Sequence, residues 1–301
     1  MTVLVFGANG QVGQELLRAA AALGPVVGTT RSGELPDGGA CEQADFAKPD
    51  ALPALLDRIQ PHVVLNAAAY TAVDKAETEA EAARLANAEA PGVIAAWCAE
   101  HAVPLVHYST DYVFDGTGTR PYRETDPTAP LGVYGATKLA GEDAIRAARG
   151  RHLIFRTAWV YAAHGQNFLR TMLRVGAERD ELRVVADQIG TPTPAALIAD
   201  VTVQALQSGD GRSGTWHLTA EGDTSWHGFA EAIFAQTAEA GLIANTPRVV
   251  AIGTADYPTP ARRPAYSRLD TTQLRQEFDI VLPRWEDGLA RVIATLAAAR
   301  R

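Results

Sequence analysis

Cysteine is scarce in this chain of 301 residues, which contains only Cys41 and Cys98. Two cysteines are too few for a disulfide framework, and their separation matches no metal-ligand spacing. Both are therefore expected to be reduced thiols of a cytosolic protein. Isolated histidines such as His107 and His217 also lack partner spacing, so we expect them to be structural rather than metal ligands.

Long hydrophobic runs are lacking as well. The first apolar run, Val3–Phe6, is far too short for a signal peptide or a membrane helix, and no basic stretch precedes it. We therefore expect a cytoplasmic protein without a membrane partner. The sequence shows no convincing internal repeat and no low-complexity segment, which excludes solenoids and largely disordered chains.

Positive charge is in the minority. Twenty-seven basic residues stand against 35 acidic ones, and the net charge of −8 argues against binding to nucleic acid or anionic membranes. Hydrophobic residues make up 47% and charged residues 21%, with 26 glycines and 17 prolines, which is ordinary globular composition. The length allows one large α/β domain or two smaller lobes.

Short apolar runs alternate with helical patterns in the first half of the chain, which indicates βαβ units and a parallel sheet. The predicted strands cover residues 2–6, 25–30, 62–67, 104–109 and 152–157, with a weaker strand at 40–45, and the predicted helices cover 11–23, 89–101 and 226–240. We predict an α/β fold: a Rossmann-type doubly wound parallel sheet with a smaller, mainly C-terminal α/β substrate lobe.

The change in pattern after residue 161 predicts the domain boundary. Residues 1–161 are expected to form a dinucleotide-binding domain and residues 162–301 mainly the substrate lobe. A later segment near 195–220 is expected to return to the first domain.

The stretch VFGANGQVG places three glycines between the first predicted strand and the first predicted helix. Gly7 permits a tight turn, Gly10 lacks the Cβ that would block a pyrophosphate, and Gly13 allows close helix packing; the helix N-terminus offers free N–H groups to the anion. A glycine turn without a ligand is the alternative. The predicted phosphate-binding residues are Gly7, Asn9, Gly10, Gln11, Val12 and Gly13.

At the end of the second predicted strand the chain reads Thr29, Thr30, Arg31 and Ser32, without the acidic residue that binds a ribose 2′-hydroxyl. An arginine beside hydroxyl groups suits a 2′-phosphate, which predicts NADPH as the cofactor, with NADH still possible. The competing interpretation is that Arg31 is an ordinary solvated loop charge.

Two further segments are predicted to contact the cofactor. Asp45 and Phe46 follow the weak third strand and would lie beside the adenine, although a helix-capping role for Asp45 is the alternative. Ala67, Ala68 and Ala69 are small enough for the backbone to pass close to the ribose and nicotinamide, but small residues also simply pack well.

Tyr134 and Lys138 are four residues apart, so on a helix they share one face. An ammonium beside the phenol would favour the phenolate and lower its pKa from about 10. Tyr134 would then donate a proton to a carbonyl oxygen that the Thr110 hydroxyl, at the carboxyl end of the fifth strand, also holds. Without supporting context, an exposed tyrosine on an amphipathic helix would be the better interpretation.

Six stretches together resemble a known family: GANGQVG, NAAAYTAVDKAE, HYSTDYVFDG, YGATKLAGE, FRTAWVY and RRPAYSRLD. They are similar to the extended short-chain dehydrogenase/reductases, and within these to the dTDP-4-dehydrorhamnose reductase family, over nearly the whole chain. The resemblance implies reduction of the C4 ketone of dTDP-4-dehydro-L-rhamnose to dTDP-L-rhamnose. It also implies a catalytic triad of Thr110, Tyr134 and Lys138. In this triad Tyr134 donates the proton, and Lys138 adjusts the pKa of Tyr134 and binds the nicotinamide ribose.

The resemblance also implies which residues contact the sugar nucleotide. Trp159 would form an aromatic wall against the deoxysugar, with burial in the core as the alternative. Arg263 would pair bidentately with the substrate diphosphate. The residues predicted on the substrate side are Thr71, Val73, Thr110, Asp111, Trp159, Asn167 and Arg263.

Some members of the family hold Mg²⁺ at a dimer interface through glutamates. Glu15 is present here, but Ala196 stands where such members carry a second glutamate, and residues 294–301 offer no carboxylate. The sequence therefore argues against a metal-bridged dimer and predicts no metal site. It leaves a monomer and a metal-free homodimer open.

Two other functions are compatible with the same scaffold. One is a sugar-nucleotide epimerase or dehydratase that keeps NAD⁺ bound, but dehydratases commonly carry an acidic pair beside the threonine, and here only Asp111 follows Thr110. The other is a nonenzymatic regulatory subunit, because a relative of these reductases binds methionine adenosyltransferase. The intact Thr110, Tyr134 and Lys138 favour an enzyme.

Overall fold

A computed structural model describes residues 1–209 and 211–299. Asp210, in the segment expected to return to the first domain, and Arg300 and Arg301, in the predicted substrate lobe, lie outside the described residues. In this part of the chain, no helix is both long enough and apolar enough to span a membrane.

The strands and helices alternate along most of the chain. The strands are β1 (Val3–Phe6), β2 (Val26–Thr30), β3 (Glu42–Gln43), β4 (Val63–Asn66), β5 (Leu105–Thr110), β6 (His152–Thr157), β7 (Val160–Tyr161), β8 (Glu181–Val185), β9 (Ile189–Gly190), β10 (Thr193–Pro194), β11 (Gly214–His217), β12 (Thr224–Ser225) and β13 (Arg248–Ile252). The helices are α1 (Gln11–Ala19), α2 (Leu52–Ile59), α3 (Val73–Ala76), α4 (Ala80–Arg84), α5 (Ala90–Glu100), α6 (Val133–Ala147), α7 (Phe168–Gly176), α8 (Ala195–Gln207), α9 (Trp226–Glu239), α10 (Thr272–Phe278) and α11 (Trp285–Ala298).

A seven-stranded sheet forms the centre of the fold, with the order β11-β6-β5-β4-β1-β2-β3 and every neighbouring pair parallel. The strand order reverses between β1 and β4. In open sheets of this type, ligands bind at the carboxyl ends of the strands beside such a reversal. The predicted doubly wound parallel sheet is confirmed.

Strand β1 shows why these apolar runs become central strands. Its four residues are fully buried, because successive side chains point to opposite faces and helices cover both faces. Val3 and Val5 belong to a core cluster with Leu16 of α1, whereas Leu4 and Phe6 belong to the cluster on the other face. A continuous apolar run, rather than an alternating one, is the expected pattern for such a strand.

Two predicted elements are shorter than expected. The strand predicted at 40–45 is only Glu42–Gln43, because β3 lies at the sheet edge and pairs with β2 alone. The helix predicted at 11–23 ends at Ala19 and continues as a 3₁₀ turn over Ala20–Leu23. Gly24, at a φ of 141°, then turns the chain into β2.

Residues beyond β6 build the other packed layers of the fold. Helices α7, α9 and α11 contribute to a core cluster that includes Leu169, Phe229 and Leu289. Strand β8 pairs in parallel with β13. Within the same part of the chain, Ile198 and Val201 of α8 belong to the core cluster of the central sheet, and β11 pairs with β6. The domain boundary at residue 161 stays a prediction.

Candidate active site

The loop after β1 forms a backbone cradle at the start of α1. Gly7 adopts a φ of 77°, and the Gly10 N–H donates to its carbonyl oxygen at 2.9 Å. Gly10 caps α1 without a side-chain hydrogen bond, so the first N–H groups of the helix remain available to an anion. A Cβ on Gly13 would lie 2.0 Å from the Gly7 oxygen, which explains why glycine is needed there.

Gly13→Ala is expected to push α1 away from the loop, because the added methyl group collides with backbone atoms that cannot rotate aside. We expect an unfolding free energy lower by about 1–3 kcal/mol and a Kd for NADPH at least about tenfold higher. Urea denaturation and fluorescence titration measure the two effects. Gly10→Ala is the comparison, since its Cβ would meet only the Gly7 oxygen, at 3.3 Å. That variant should keep its stability and lose only affinity; unchanged affinity in both variants would contradict the cradle.

A cleft of about 940 Å³ opens at the carboxyl edge of the sheet. Most of the predicted site residues line it: Gly7, Asn9, Gly10, Gln11, Val12, Arg31, Asp45, Phe46, Ala67, Ala68, Ala69, Thr71, Val73, Thr110, Asp111, Tyr134, Lys138 and Trp159. Gly13, Asn167 and Arg263 do not line this cleft. Segments from both halves of the chain therefore meet around one cavity.

Thr110, at the end of β5, lies beside Tyr134 of α6. Its hydroxyl donates to Asp111 Oδ1 at 3.0 Å and accepts from the Tyr112 N–H at 3.2 Å. Burial raises the pKa of Tyr134 to about 12, although a hydrogen bond with Thr110 lowers it in part. The phenol is therefore protonated at neutral pH and can act as a proton donor.

The expectation that Lys138 lowers the pKa of Tyr134 is wrong for this structure. The Lys138 Nζ donates to the Tyr108 carbonyl oxygen at 2.6 Å and lies 3.2 Å from His107 Nε2. The loss of hydration around the buried phenol therefore dominates its pKa. Burial also lowers the pKa of Lys138 to about 8, against the charge of Glu142, which raises it.

His107 was expected to be structural, and its side chain contacts the buried Lys138 ammonium. Burial and the Lys138 charge keep the pKa of His107 well below its usual value, so the ring is neutral, and its Nε2 lies 3.2 Å from Lys138 Nζ. Its Nδ1 lies 3.1 Å from Asn66 Nδ2, and Asn66 Oδ1 accepts from the Ala68 N–H at 3.2 Å. This network fixes the lysine relative to the end of β4, where the predicted nicotinamide contacts lie.

A buried ion pair supports the same helix. Glu142 lies one turn beyond Lys138 on α6, and its carboxylate accepts from Arg156 Nε at 2.9 Å and Nη2 at 2.7 Å. The Glu142 side chain is fully buried, and the Arg156 side chain is 4% exposed. The pair joins α6 to β6 and thereby fixes the helix that carries Tyr134 and Lys138.

Asp111 is completely buried at the cleft. Burial raises its pKa to about 6, although the neighbouring hydroxyl groups of Ser267 and Thr110 lower it in part. Its Oδ2 atom has no hydrogen-bond partner among the described residues. Asp111 lines the cleft, and a buried acceptor without a partner requires a donor that the described residues do not supply.

Asp111→Asn is expected to stabilise the protein at high pH while it lowers activity. A carboxyl group whose folded pKa is raised contributes stability below its unfolded pKa of 3.8, and this contribution disappears as pH rises through about 6. Asparagine does not ionise, so we expect a gain on the order of 2 kcal/mol at pH 8 and almost none at pH 4. Urea denaturation at both pH values tests this; an equal gain at both would show that ionisation is not the cause.

Asn167 and Arg263 have protein partners in this structure. Asn167 caps α7 by accepting from the Arg170 N–H at 3.0 Å, and its Nδ2 donates to Gln11 Oε1 at 2.8 Å. Arg263 donates from its two terminal nitrogens to the carboxylate of Asp74 at 2.9 and 2.8 Å. Its bidentate pairing is therefore made with a carboxylate near the start of α3, and contact with a substrate diphosphate stays a prediction.

Glu15, the glutamate considered above as a metal ligand, contacts two protein side chains. It accepts from Arg18 Nε at 3.1 Å and lies 3.0 Å from His164 Nε2. Within residues 1–209 and 211–299, no group of three or more His, Cys, Asp or Glu side chains is arranged to hold a metal ion.

Sequence reasoning missed Trp226 as a cleft residue. Its indole lines the cavity and stacks on Trp159 at a centroid distance of 3.5 Å with an interplanar angle of 5°. Trp226 begins α9, more than sixty residues after Trp159 in the sequence. The signal available was an aromatic residue directly after Ser225, a helix-capping residue type.

Together, a glycine cradle at the strand reversal and a Thr, Tyr and Lys set at the same edge define the class of extended short-chain dehydrogenase/reductases. The family described as RmlD substrate binding domain matches residues 1–298. The dTDP-4-dehydrorhamnose reductase of Burkholderia thailandensis is 49% identical over 305 residues, covering 98% of this chain and 99% of the relative. The chain belongs to the dTDP-4-dehydrorhamnose reductase family.

Solved structures agree with this assignment. The reductase from Clostridium acetobutylicum has a TM-score of 0.89 at 35% identity and covers 98% of this chain and 99% of its own. The reductase from Bacillus anthracis, solved in complex with NADP, has a TM-score of 0.88 at 33% identity with the same coverage.

Proposed function

We propose that this chain is a cytoplasmic dTDP-4-dehydrorhamnose reductase. It reduces the C4 ketone of dTDP-4-dehydro-L-rhamnose with NADPH and yields dTDP-L-rhamnose, in the last step of dTDP-L-rhamnose biosynthesis. The observation that carries the proposal is the meeting of Thr110, Tyr134 and Lys138 at one edge of a cleft that also contains the glycine cradle. The names of the relatives support the substrate.

The chain's residues divide the chemistry between them. Bound NADPH supplies the hydride that the ketone carbon accepts. Tyr134 donates a proton to the ketone oxygen, which a neutral phenol with a pKa of about 12 can do. The Thr110 hydroxyl holds the same oxygen, and Lys138 is aligned by Tyr108 and His107 for the nicotinamide ribose. The Asp111 carboxylate accepts a hydrogen bond from a sugar hydroxyl.

The cradle and the loop after β2 fit NADPH. The open N-terminus of α1 suits the pyrophosphate, and no Cβ projects from Gly10. Thr30 Oγ1 accepts from the N–H groups of Gly33 and Glu34 at 3.0 and 3.1 Å, which shapes the loop. Arg31 is exposed at the cleft, and within the described chain its guanidinium has no protein hydrogen bond, so it is available to a 2′-phosphate.

Arg31→Ala is expected to raise the KM for NADPH about tenfold and to leave the KM for NADH nearly unchanged, because only NADPH carries the phosphate. Steady-state kinetics with both cofactors measures the ratio. Arg120→Ala is the control, since Arg120 is an exposed arginine paired with Asp126 and does not line the cleft. Equal changes for both cofactors would show that Arg31 is an ordinary loop charge.

The decisive assay follows the loss of NADPH absorbance with 4-keto-L-rhamnosyl nucleotide generated by the upstream dehydratase and epimerase. We expect oxidation only with the complete substrate, and dTDP-L-rhamnose as the product by mass spectrometry. If NADPH binds but is not consumed, the reductase proposal fails, and an epimerase or a regulatory subunit takes its place.

A further inference from the structure

Trp159 has an uncommon backbone conformation for so large a side chain. Its φ is 49°, in the left-handed region that L residues other than glycine adopt at a cost. The other nonglycine residues at positive φ in the described chain each follow a helix end: Gln60, Ala102, Arg149 and Asp279. Trp159 lies between β6 and β7 instead, where no helix requires the turn. Such strain persists only when the surroundings enforce it, and it is common at ligand sites.

Trp226 is the principal neighbour of this strained residue. The two indoles are nearly parallel, at 5°, and their centroids are 3.5 Å apart. Trp226 also packs against Phe168 at 4.7 Å, so the stack is anchored at the first residues of both α7 and α9. Trp226 covers one face of the Trp159 indole, and both tryptophans line the cleft.

A short pair of strands holds both sides of this stack. Strand β9 pairs with β12, with Gly190 opposite Thr224. Ser225 of β12 caps α9 by accepting from the Gly228 N–H at 3.0 Å, which fixes Trp226 at the start of the helix. A Cβ on Gly190 would lie 2.5 Å from Trp159 Cε2 and 2.6 Å from its Nε1. The same small sheet therefore fixes one indole and leaves room for the other.

We propose that Trp226 is a positioning residue for the sugar subsite. It holds the Trp159 indole, in its left-handed backbone conformation, so that the indole presents an apolar surface to the pyranose ring of the sugar nucleotide. Trp226 acts through Trp159 and makes no contact with the sugar itself. The inference rests on the proposed reductase function.

Substitutions at Trp226 and Gly190 test the role of Trp226 in binding the sugar nucleotide. Trp226→Leu is expected to raise the KM for the sugar nucleotide roughly tenfold, with kcat and the KM for NADPH nearly unchanged, because a stacked aromatic pair is lost. Trp226→Phe retains a flat ring and should recover much of that loss. Gly190→Ala leaves both indoles intact but displaces Trp159, so it should also raise the sugar-nucleotide KM. Trp97→Phe, which alters a tryptophan outside the cleft, should keep the wild-type KM for the sugar nucleotide.

A double-mutant cycle with Trp159→Ala separates positioning from direct contact. If Trp226 acts only through Trp159, Trp226→Leu adds no further loss once Trp159 is alanine. A full additional loss in that background would overturn the proposal, as would an unchanged sugar-nucleotide KM in both Trp226→Leu and Gly190→Ala.

A crystal structure of ligand-free Trp226→Leu gives a readout that does not depend on turnover. We expect Trp159 to leave the left-handed region or its indole to leave the cleft wall; an unmoved Trp159 would overturn the proposal. If the wild-type protein fails to oxidise NADPH with the sugar nucleotide, the reductase function fails, and this structural result still decides whether Trp226 positions Trp159.

Discussion

Tyr134→Phe is expected to lower kcat by roughly 10²–10⁴-fold, the usual contribution of a general acid or base, while the protein folds and binds NADPH normally. The substitution removes only the phenolic oxygen. The ring keeps its edge-to-face packing on Tyr112, at a centroid distance of 5.7 Å and an angle of 80°. Loss of turnover without loss of structure would therefore assign the proton transfer to that oxygen.

The measurement is a set of three on one preparation: kcat with the sugar nucleotide, the Kd for NADPH and the melting temperature. Tyr161→Phe is the matched control, because the buried Tyr161 hydroxyl has no hydrogen-bond partner in the described structure and does not line the cleft. It should retain full activity. If Tyr134→Phe turns over at the wild-type rate, another group donates the proton and the mechanism is wrong.

Glu142→Leu is expected to lower the free energy of unfolding by about 3–5 kcal/mol, because it leaves the Arg156 charge buried without its carboxylate. Arg156 is 4% exposed, and its guanidinium lies over the Phe114 ring at 5.2 Å, so water cannot replace the lost partner. Urea denaturation measures the loss. A loss below 1 kcal/mol would mean that the pair is solvated in the folded protein.

The double variant Glu142→Leu with Arg156→Met removes both charges and should recover most of the lost stability. The wild type and the double variant should also differ in how their stability changes at acid pH. Burial would raise the pKa of Glu142, but the hydrogen bonds and charge of Arg156 outweigh it and lower that pKa below 4.5. The carboxylate thus contributes stability above its unfolded pKa, and the wild type loses this contribution as pH falls through the folded value. The double variant should lack that part of the acid sensitivity.

The central sheet could be predicted from the sequence because its signals are local. Doubly buried strands such as β1 are continuous apolar runs, and the glycine cradle directly follows β1. Tyr134 and Lys138 are four residues apart on one helix, so their shared face is also a local property. Each of these features depends on fewer than about ten consecutive residues, which is the range over which periodicity carries information.

The remaining features depend on contacts between distant segments. The partner of Arg263 is Asp74, 189 residues away, and no local pattern identifies it. The pKa of Tyr134 depends on how deeply α6 is buried, so the Tyr and Lys spacing alone gave the wrong direction. Trp226 enters the cleft through β9 and β12, strands of two residues each, which are too short to produce a periodic signal.

The position of β11 and α8 has a consequence for how the protein is made. The ribosome releases residues 1–161 with β6 still an open edge, since β11 pairs with β6 only after residues 214–217 are synthesised. The surface that Ile198 and Val201 later cover is exposed during the same interval. Unpaired strand edges promote association between chains. A cut at residue 161 would therefore yield an aggregation-prone fragment rather than an independent nucleotide-binding domain. The nascent sheet is completed only after the intervening segment has been translated.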